Sequence, residues 1–309
     1  MSVPLLSLVL LGYQKFEQTS SPCLESLSPW FDDPEIEVLA LDNASPDGSG
    51  ERMRRWCAAY PAVSFMQSEY NRGFAGGMNW GSEQALGKWL LLVNSDTEFA
   101  QHALDALKVV LRQVPDKVAM IGPVTNAAGN GQRLWKPEAD REEWLRIGEG
   151  LHANPSGQLM PAYRCDFFCI AIRTDVWRQL GGLDTAFGLG YYEDFDFSLR
   201  LRKAGWEQAI TEDVFVFHQG SASFQASKEA RALMKHNKKL LQAKHPEARF
   251  EHTRLGNLAV MREYQSLKSD RLWSVPLEAR WALRFGALVG DAPRGWWKRW
   301  FWRRMVGGI

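Results

Sequence analysis

The sequence predicts an α/β protein with a mainly parallel central sheet, and two observations in its first third support this class. Short continuous apolar runs, typical of buried strands, alternate with amphipathic segments of helical period. Several of these runs end on polar or acidic residues, at the edge where open α/β sheets bind their ligands. Strands that alternate with helices in this way form parallel sheets with right-handed crossovers.

The strands are predicted from their apolar runs. The run over residues 5–11 is continuous and predicts a first buried strand, and the run over residues 36–41 predicts a second that closes on Asp42. Further strands are predicted over residues 63–66, 89–93, 118–122 and 163–172, with short strands at 209–210 and 214–217.

The helices are predicted from amphipathic spacing and from the residues that end them. Pro29 ends the first helix, turn residues over 45–49 lead into the second, and Pro246 follows the last. We predict helices over residues 14–27, 51–60, 76–86, 104–113, 174–180, 193–204 and 227–244. Residues 123–162, rich in Gly, Asn and Pro, predict a long mobile excursion over the active-site side.

The composition is ordinary for a globular protein and excludes few classes. The chain has 309 residues, 45% of them hydrophobic and 24% charged, and a formal net charge of +1 that gives no global argument for nucleic acid. Its four cysteines, at positions 23, 57, 165 and 169, form no Cys-x-x-Cys pair, which indicates buried thiols in a reducing compartment. The apolar N-terminal run has no basic leader, so we expect a core strand and no signal peptide, and no apolar run is long enough to span a membrane.

An acidic group follows the fourth predicted strand. Asn94, Ser95 and Asp96 come directly after the apolar run over residues 89–93. A carboxylate at a strand end can hold a hard divalent cation, which can bridge two phosphates. Capping of the next helix by Asn94 or Asp96 is the alternative, and on this motif alone the better one.

Two other segments belong to the same edge. Asp42 and Asn43 end the second strand, where Asp42 could accept a hydrogen bond from a base or a ribose, while Ser45 and Asp47 fit a turn equally well. Residues 71–79 (NRGFAGGMN) form a glycine-rich loop before a helix, which can present backbone N–H groups to an anion. This loop matches neither the dinucleotide fingerprint nor the P-loop.

Two later motifs complete the set of candidate residues. Glu193 and Asp194 begin a helix, where acidic residues are favoured by the helix dipole alone, but the flexible aromatic approach through Tyr191 and Tyr192 is typical of a pocket. His218 ends a strand, a position that is usually structural; it becomes a candidate metal ligand because acidic strand ends are available beside it.

The order of six motifs resembles family 2 glycosyltransferases, with the bacterial rhamnosyltransferase-like and O-antigen enzymes nearest in character. The resemblance covers about residues 3–245, and the ordered set is highly specific although each motif alone is not. The motifs are D-N-x-S-x-D-G-S at 42–49, N-x-G-F-A-G-G-x-N at 71–79, N-S-D at 94–96, G-G-L-D at 181–184, E-D-x-D-x-x-x-R at 193–200 and H-x-G-S at 218–221.

This resemblance implies a GT-A fold over residues 1–225 with a helical extension over 226–309, and inverting sugar transfer from a UDP- or dTDP-linked donor. It implies Asp194 as catalytic base with Glu193 beside it, and Asp96 and His218 as ligands of Mn²⁺ or Mg²⁺, since Asn94 replaces the first Asp of the usual D-x-D. The donor site is expected to contain Asp42, Asn43, Asp47, Asn71, Gly73, Phe74, Asn79, Asn94 and Ser95, and the acceptor pocket Tyr191, Tyr192 and Asp166.

The implied chemistry agrees with the residue types. A metal offsets charge on the leaving diphosphate. Asp194 takes the proton of the acceptor hydroxyl. The hydroxyl oxygen attacks the anomeric carbon on the face opposite the leaving diphosphate, which inverts the configuration of that carbon.

The C-terminal segment mixes aromatic rings with cations over residues 295–304 (GWWKRWFWRR). Such a segment suits the interface of an anionic membrane, which would bring the enzyme to a lipid-linked acceptor; the alternative is a helix that packs its tryptophans on the domain. Nucleic acid is not expected as a partner. We therefore expect a cytoplasmic enzyme, peripheral on the inner face of the cytoplasmic membrane, that builds a bacterial surface polysaccharide.

Two other classes of function are open to the same fold. A non-catalytic module that binds nucleotide-sugars or glycans would require loss of the base or the metal ligands, and Asp96, Asp194 and His218 are all present. A sugar-phosphate nucleotidyltransferase would require a glycine-rich N-terminal signature, which residues 11–15 lack.

Overall fold

A computed structural model describes residues 3–220, 228–250, 253–270 and 272–290, together with residues 295, 296, 299, 300, 302 and 304. Its strands are β1 Leu6–Gly12, β2 Ile36–Asp42, β3 Val63–Gln67, β4 Trp89–Asn94, β5 Thr97–Phe99, β6 Val118–Val124, β7 Leu159–Pro161, β8 Cys169–Arg173 and β9 Glu207–His218. Its helices are α1 Ser20–Leu27, α2 Ser49–Cys57, α3 Gly73–Glu83, α4 Ala103–Gln113, α5 Arg141–Ala153, α6 Thr174–Leu180, α7 Glu193–Lys203, α8 Lys228–Lys244, α9 Thr253–Ser269 and α10 Val275–Gly290.

The strands form one sheet in the order β3-β2-β1-β4-β8-β6-β9-β5, with β7 paired to β9. The first four strands of this order are parallel, as are β6 and β9. Strand β8 runs antiparallel to both of its neighbours, β4 and β6. The predicted α/β class with a largely parallel sheet flanked by helices is confirmed.

Alternate side chains of the strands enter two apolar layers, one on each face of the sheet. In β1, Leu8 and Leu10 belong to the layer on one face, while Val9 and Leu11 belong to the layer on the other. This alternation is the period-two geometry of a strand that is buried on both sides. It explains why the run over residues 5–11 is apolar at nearly every position.

The register of the sheet brings the polar strand ends together. At the carboxyl end of β1, Gly12 pairs with Asp42 on one side and Leu11 pairs with Asn94 on the other. At the other end of the strand order, Thr97 of β5 pairs with His218 of β9. Asp96 and His218, distant in sequence, are therefore neighbours in space.

Four predicted elements differ from the structure. The first helix begins at Ser20 and not at residue 14, because Gln14 and Lys15 have positive φ angles and donate their backbone N–H groups to Ser45 and Asp47. The strand predicted over residues 163–172 begins only at Cys169. The two short strands predicted near residues 209 and 216 are one continuous strand, β9.

The predicted mobile excursion over residues 123–162 is more ordered than its composition indicates. It contains helix α5, which begins at a capping interaction in which the Asp140 side chain accepts from the Glu143 N–H. Trp144 of this helix stacks on Phe215 of β9 with 5.6 Å between ring centroids. Burial of this tryptophan explains why the segment is folded back on the sheet.

The C-terminal region is helical and is held to the sheet by buried charges. Arg280 and Arg284 of α10 are fully buried, and they pair with Asp213 and Glu212 of β9 at 2.9 and 2.7 Å. The predicted domain boundary at residue 225 stays a prediction, because residues 221–227, which include Ser221 of the H-x-G-S motif, lie outside the described residues. Across the described ranges, no helix is long and apolar enough to cross a membrane. The four cysteines are buried free thiols, as predicted.

Candidate active site

A cavity of about 980 Å³ opens at the carboxyl edge of the sheet. Its walls come from the strand ends at Asn94 and His218, the loops over 126–129 and 164–168, and the segment over 189–195. Met234 and Lys238 of α8, with Phe250 beyond it, close one side. The size suits a ligand of nucleotide-sugar dimensions.

His218 lines this cavity, and Asp96 lies beside it. The Nε2 of His218 lies 3.4 Å from Oδ2 of Asp96. The Nδ1 of His218 lies 2.9 Å from the carbonyl oxygen of Ala127, and its ring stacks on Phe168. These contacts fix the ring orientation and turn Nε2 toward the carboxylate.

This pair fits the requirements of a divalent cation. The second ring N–H of a histidine ligand typically donates a hydrogen bond to a carbonyl or carboxylate oxygen, as Nδ1–H of His218 does here to the carbonyl oxygen of Ala127. Ligand atoms at about 2.1 Å from an octahedral metal are roughly 3 Å apart, close to the observed separation. No group of three or more His, Cys, Asp or Glu side chains suited to a metal occurs in the part of the chain that the structure describes. Two protein ligands would leave positions for phosphate oxygens and water.

Asn94 also lines the cavity, and the described residues provide no hydrogen-bond donor to its side-chain oxygen. Its Oδ1 is buried and has no hydrogen-bond partner among the described residues, although its backbone N–H donates to Phe168. A buried acceptor without a partner is costly, so it indicates a group that a ligand or water satisfies. Ser95 lies between Asn94 and Asp96, half-buried.

The carboxylates of Asp42 and Asp47 are engaged within the protein. Asp42 is buried and accepts from the backbone and side chain of Ser45 at the end of β2. Asp47 is exposed and accepts from the N–H groups of Lys15 and Ser49. Both stabilise the turn between β2 and α2, and their predicted contact with the donor stays a prediction.

The loop over residues 71–79 is tied to neighbouring segments at both ends. Asn43 donates to the Asn71 side chain at 3.0 Å and to the Gly73 carbonyl at 3.1 Å. At the other end, Asn79 exchanges two hydrogen bonds of 2.8 Å with the backbone of Leu183. Phe74 is the member of this loop that lines the cavity.

Glu193 and Asp194 begin helix α7 and line the cavity. Glu193 is buried, and its Oε2 has no hydrogen-bond partner among the described residues. Asp194 is half-buried, and its Oδ1 accepts from the Phe195 N–H at 2.7 Å.

Burial makes both of these carboxyl groups weaker acids. Burial, followed by the negative charge of Asp194, raises the pKa of Glu193 to about 8. Burial, followed by the charge of Asp166, raises the pKa of Asp194 to about 6. Near neutral pH the two groups together therefore hold about one proton and one negative charge, and Glu193 is the weaker acid of the two. Adjacent carboxyl groups with separated pKa values are typical of acid–base sites.

The predicted acceptor residues also lie on the cavity. Tyr191 and Tyr192 line it and have left-handed backbone conformations, with φ angles of 73° and 76°. Asp166 accepts from the Gly129 N–H at 2.6 Å and pairs with Arg164 at 2.5 Å.

Sequence reasoning missed several residues of the cavity wall. Arg164 was overlooked because residues 163–172 predicted a strand, in which its side chain had no special position. Lys238 and Met234 were overlooked because helix α8 carries no motif that points to a site. Asn126, which exchanges hydrogen bonds with the backbone of His218 at 2.9 Å, falls in the segment predicted to be mobile.

The arrangement places a histidine–aspartate pair that fits a hard cation beside the same cleft that Glu193 and Asp194 line. The first pair can bind a diphosphate through a metal, and the second pair can take a proton from a hydroxyl group.

Comparisons with known proteins agree with this chemistry. The family model for glycosyl transferase family 2 matches residues 7–178. An N-acetylglucosaminyl-diphospho-decaprenol L-rhamnosyltransferase of Mycobacterium tuberculosis is 24% identical over 215 residues, which cover 61% of this chain and 68% of that protein. A low-salt glycan biosynthesis hexosyltransferase of Haloferax volcanii is 26% identical over 174 residues, covering 54% and 53%.

Solved structures share the fold. A mannosyltransferase from Pyrobaculum calidifontis in complex with GDP-Man and Mn²⁺ has a TM-score of 0.58 at 17% identity, covering 99% of this chain and 86% of that one. The structure of GalNAc-T7 with UDP, GalNAc and Mn²⁺ has a TM-score of 0.53 at 15% identity, covering 79% and 52%. The predicted GT-A fold is thereby confirmed. Since the family model matches more than half of the chain, the protein is a glycosyltransferase that belongs to glycosyl transferase family 2.

Proposed function

We propose that this enzyme transfers a sugar, with inversion at the anomeric carbon, from a nucleotide-diphosphate sugar to a hydroxyl group, with Mn²⁺ or Mg²⁺ as cofactor. One observation carries the proposal: a single cavity has His218, with Asp96 beside it, on one wall and Glu193 with Asp194 on another. The first pair suits a metal-bound diphosphate, and the second suits proton removal from an acceptor.

Asp96 and His218 would hold the metal. When bound there, the metal would offset the negative charge that builds on the leaving diphosphate. The unsatisfied Oδ1 of Asn94 would accept a hydrogen bond from a metal-bound water or a donor hydroxyl. The structures of the mannosyltransferase and of GalNAc-T7, which both contain Mn²⁺, support a divalent metal as cofactor.

Asp194 would act as the general base. With a pKa of about 6 it is mostly ionised at neutral pH, yet it is a stronger base than an exposed aspartate. Glu193, protonated beside it, would keep the net charge of the pair near −1 and so preserve the ionised state of Asp194.

The donor would be a UDP- or dTDP-linked sugar, bound along the edge formed by β2, β4 and the loop over residues 71–79. Phe74 and Asn94 line the cavity and would contact the donor directly. Asp42, Asn43, Asp47, Asn71, Gly73, Asn79 and Ser95 complete the proposed donor region. Asn43 and Asn79 make hydrogen bonds within the protein, and they would shape the donor region without contacting the donor.

The acceptor would be a glycan or a lipid-linked sugar used in bacterial surface polysaccharide or O-antigen synthesis. Support comes from the mycobacterial relative, whose name describes a diphospho-decaprenol-linked acceptor. Tyr191, Tyr192 and Asp166 would line the acceptor side, where Lys238 adds a positive charge above the ring of Phe250 at 4.8 Å.

A lipid-linked acceptor would require the enzyme to work at the cytoplasmic face of the membrane. In the C-terminal segment, Trp296 and Trp300 are 70% and 43% exposed, whereas Trp302 is buried and donates to the Leu288 carbonyl at 3.1 Å. Part of the segment therefore packs on the protein and part presents aromatic rings outward. We propose that the exposed part contacts the membrane surface as a peripheral attachment.

The proposal is tested by incubating the enzyme and Mn²⁺ with UDP-, dTDP- and GDP-linked sugars and polyprenyl-diphosphate N-acetylglucosamine. Mass spectrometry would detect an acceptor heavier by one sugar, and NMR of the product would show an anomeric configuration opposite to that of the donor. A product that retains the donor configuration would contradict the inverting mechanism. No donor consumption with any acceptor preparation would favour a non-catalytic binding module.

A further inference from the structure

The segment that leads into Glu193 and Asp194 has an unusual backbone. Tyr191 and Tyr192 both lie in the left-handed region, and Gly188 and Gly190 also have positive φ angles. Left-handed backbone costs a non-glycine residue roughly 1–2 kcal/mol. Two consecutive tyrosines in this conformation therefore require support from the surrounding structure.

Asn237 of helix α8 provides that support. Its side chain is buried, and its Nδ2 donates to the backbone carbonyls of Phe187 at 2.7 Å, Gly190 at 2.8 Å and Tyr191 at 3.1 Å. One amide group thus donates hydrogen bonds to three backbone carbonyl groups of a single loop. A buried amide with these partners is specific in geometry, because a side chain that cannot donate would leave the carbonyls unsatisfied.

Helix α8 is attached to the protein independently of Asn237. His245, directly after the helix, places Nε2 at 2.8 Å from Asp196 Oδ1, and Lys244 pairs with Asp184. Lys203 of α7 also pairs with Glu247 at 2.7 Å. Removal of the Asn237 amide should therefore leave the helix docked and release mainly the loop.

We propose that Asn237 is a positioning residue for sugar transfer: by holding the backbone of residues 187–191, it determines where helix α7 begins and where Glu193 and Asp194 lie in the cavity. This inference rests on the proposed role of Asp194 as base. It makes the C-terminal helix α8 a part of the catalytic apparatus, although no atom of Asn237 needs to touch a substrate.

The test compares wild type with Asn237→Ala, Asn237→Ser and the matched control Lys239→Ala, an exposed residue on the same helix. Melting temperature is measured from pH 5 to 9, because ionisation of buried carboxyls with raised pKa values lowers stability as pH rises. The other titratable or charged groups that line the cavity are the same in every variant: Arg164, Asp166, Tyr191, Tyr192, His218 and Lys238. A change of slope therefore reports on Glu193 and Asp194.

Lys239→Ala should follow the wild-type curve. Asn237→Ala should melt lower at acidic pH and show a flatter curve, since a released loop lets water reach the two carboxyls and returns their pKa values toward ordinary ones. Its turnover should fall by at least about tenfold, while stabilisation by the preferred nucleotide with Mn²⁺ is retained. A curve parallel to wild type, or turnover within about twofold of it, would overturn the inference.

Two further variants cover the case in which Asn237→Ala does not fold and separate the role of Asn237 from the proposed role of Asp194. Asn237→Ser retains a donor in a smaller side chain and should give the same direction of change if Asn237→Ala is too unstable to purify. Asp194→Asn separates the two proposals: if it transfers sugar at the wild-type rate, the role of Asp194 is wrong, whereas an inactive Asp194→Asn beside a fully active Asn237→Ala contradicts the positioning role alone.

Discussion

At the scale of single residues, Asp194 bears the proposed chemistry. Asp194→Asn keeps the size of the side chain and removes the base, so transfer should fall by roughly 10²–10⁴-fold, which is the usual contribution of a positioned general base. Nucleotide binding should be unchanged, since Asp194 belongs to helix α7 and is not one of the strand-end residues, Asp96 and His218, that are proposed to hold the metal. Steady-state kinetics and nucleotide-induced thermal shifts on the same preparation check this. Equal losses of turnover and nucleotide binding would contradict it.

The pH dependence of turnover follows from the same carboxyl group. Since the pKa of Asp194 is raised to about 6 in the protein without substrate, kcat/KM should decline as pH falls through that value and protonates the base. The wild-type rate measured from pH 5 to 8 should show this acidic limb. A rate that is flat down to pH 5 would argue that another group takes the proton.

Glu193 is predicted to lower the stability of the protein at alkaline pH. Its pKa is raised by burial to about 8, so the folded state binds more protons than the unfolded state between the ordinary pKa and that value, and stability is lost as pH rises through this window. Glu193→Gln should therefore stabilise the protein at pH 8 by at least about 1 kcal/mol, and by less at pH 5. Urea unfolding at pH 5 and pH 8 measures the difference.

Glu51→Gln serves as the control for that experiment, because Glu51 is exposed and paired with Arg54 on helix α2. It should show no gain at pH 8. A Glu193→Gln variant that is no more stable at pH 8 than wild type would show that the carboxyl is not held in its protonated form.

At the scale of elements, Gly73 sets how closely the start of helix α3 approaches the loop before α7. Its φ is +68°, and a Cβ there would lie 2.4 Å from the Gly188 carbonyl oxygen. Gly73→Ala should destabilise the protein by more than the roughly 1–2 kcal/mol of left-handed strain and should also lower turnover. Gly157, with φ of +69° and nothing within 4 Å of a Cβ, is the matched control. Equal losses at both positions by urea unfolding would rule out a close approach at Gly73.

The attachment of helix α10 to β9 is predicted to be a second element-scale requirement. Arg284 pairs with Glu212 and also donates to the carbonyls of Gly131 and Arg133 in a loop beside the cavity. Arg284→Ala would leave Glu212 buried without its partner, so unfolding free energy should fall by about 3–5 kcal/mol. Arg112→Ala, which removes an exposed pair with Glu35, should cost no more than about 1 kcal/mol. Similar losses in the two variants would contradict a buried ion pair.

The sequence predicts well those elements whose hydrophobic pattern and end residues depend only on residues that are neighbours in the chain. The run over residues 89–93 and the helix that starts at Glu193 were located closely, because apolar continuity and first-turn acids are properties of neighbouring residues. The first helix was placed six residues too early, since the N–H groups of Gln14 and Lys15 are satisfied by Ser45 and Asp47, distant partners that no local pattern contains.

At the scale of the whole molecule, the predicted site residues are those that a local sequence pattern marks, and the missed ones are those that only tertiary contacts bring to the cavity. Asp96 and His218 were candidates because each ends a strand, and the strand order brings them together. Asn237 and Lys238 became visible only in three dimensions, since the packing of α8 over the cavity depends on tertiary contacts such as that between His245 and Asp196.

The central claim is that the cavity binds a nucleotide diphosphate through a metal held by Asp96 and His218. The most direct measurement is the thermal shift of wild type, Asp96→Ala and the exposed control Asp32→Ala with UDP, dTDP, GDP and CMP, each with and without Mn²⁺. A ligand at about 100 times its Kd stabilises the native state by about 2.7 kcal/mol. We predict that UDP or dTDP raises the melting temperature of wild type and Asp32→Ala only with Mn²⁺, and leaves Asp96→Ala unchanged. Stabilisation that is equal without metal, or intact in Asp96→Ala, would contradict the claim.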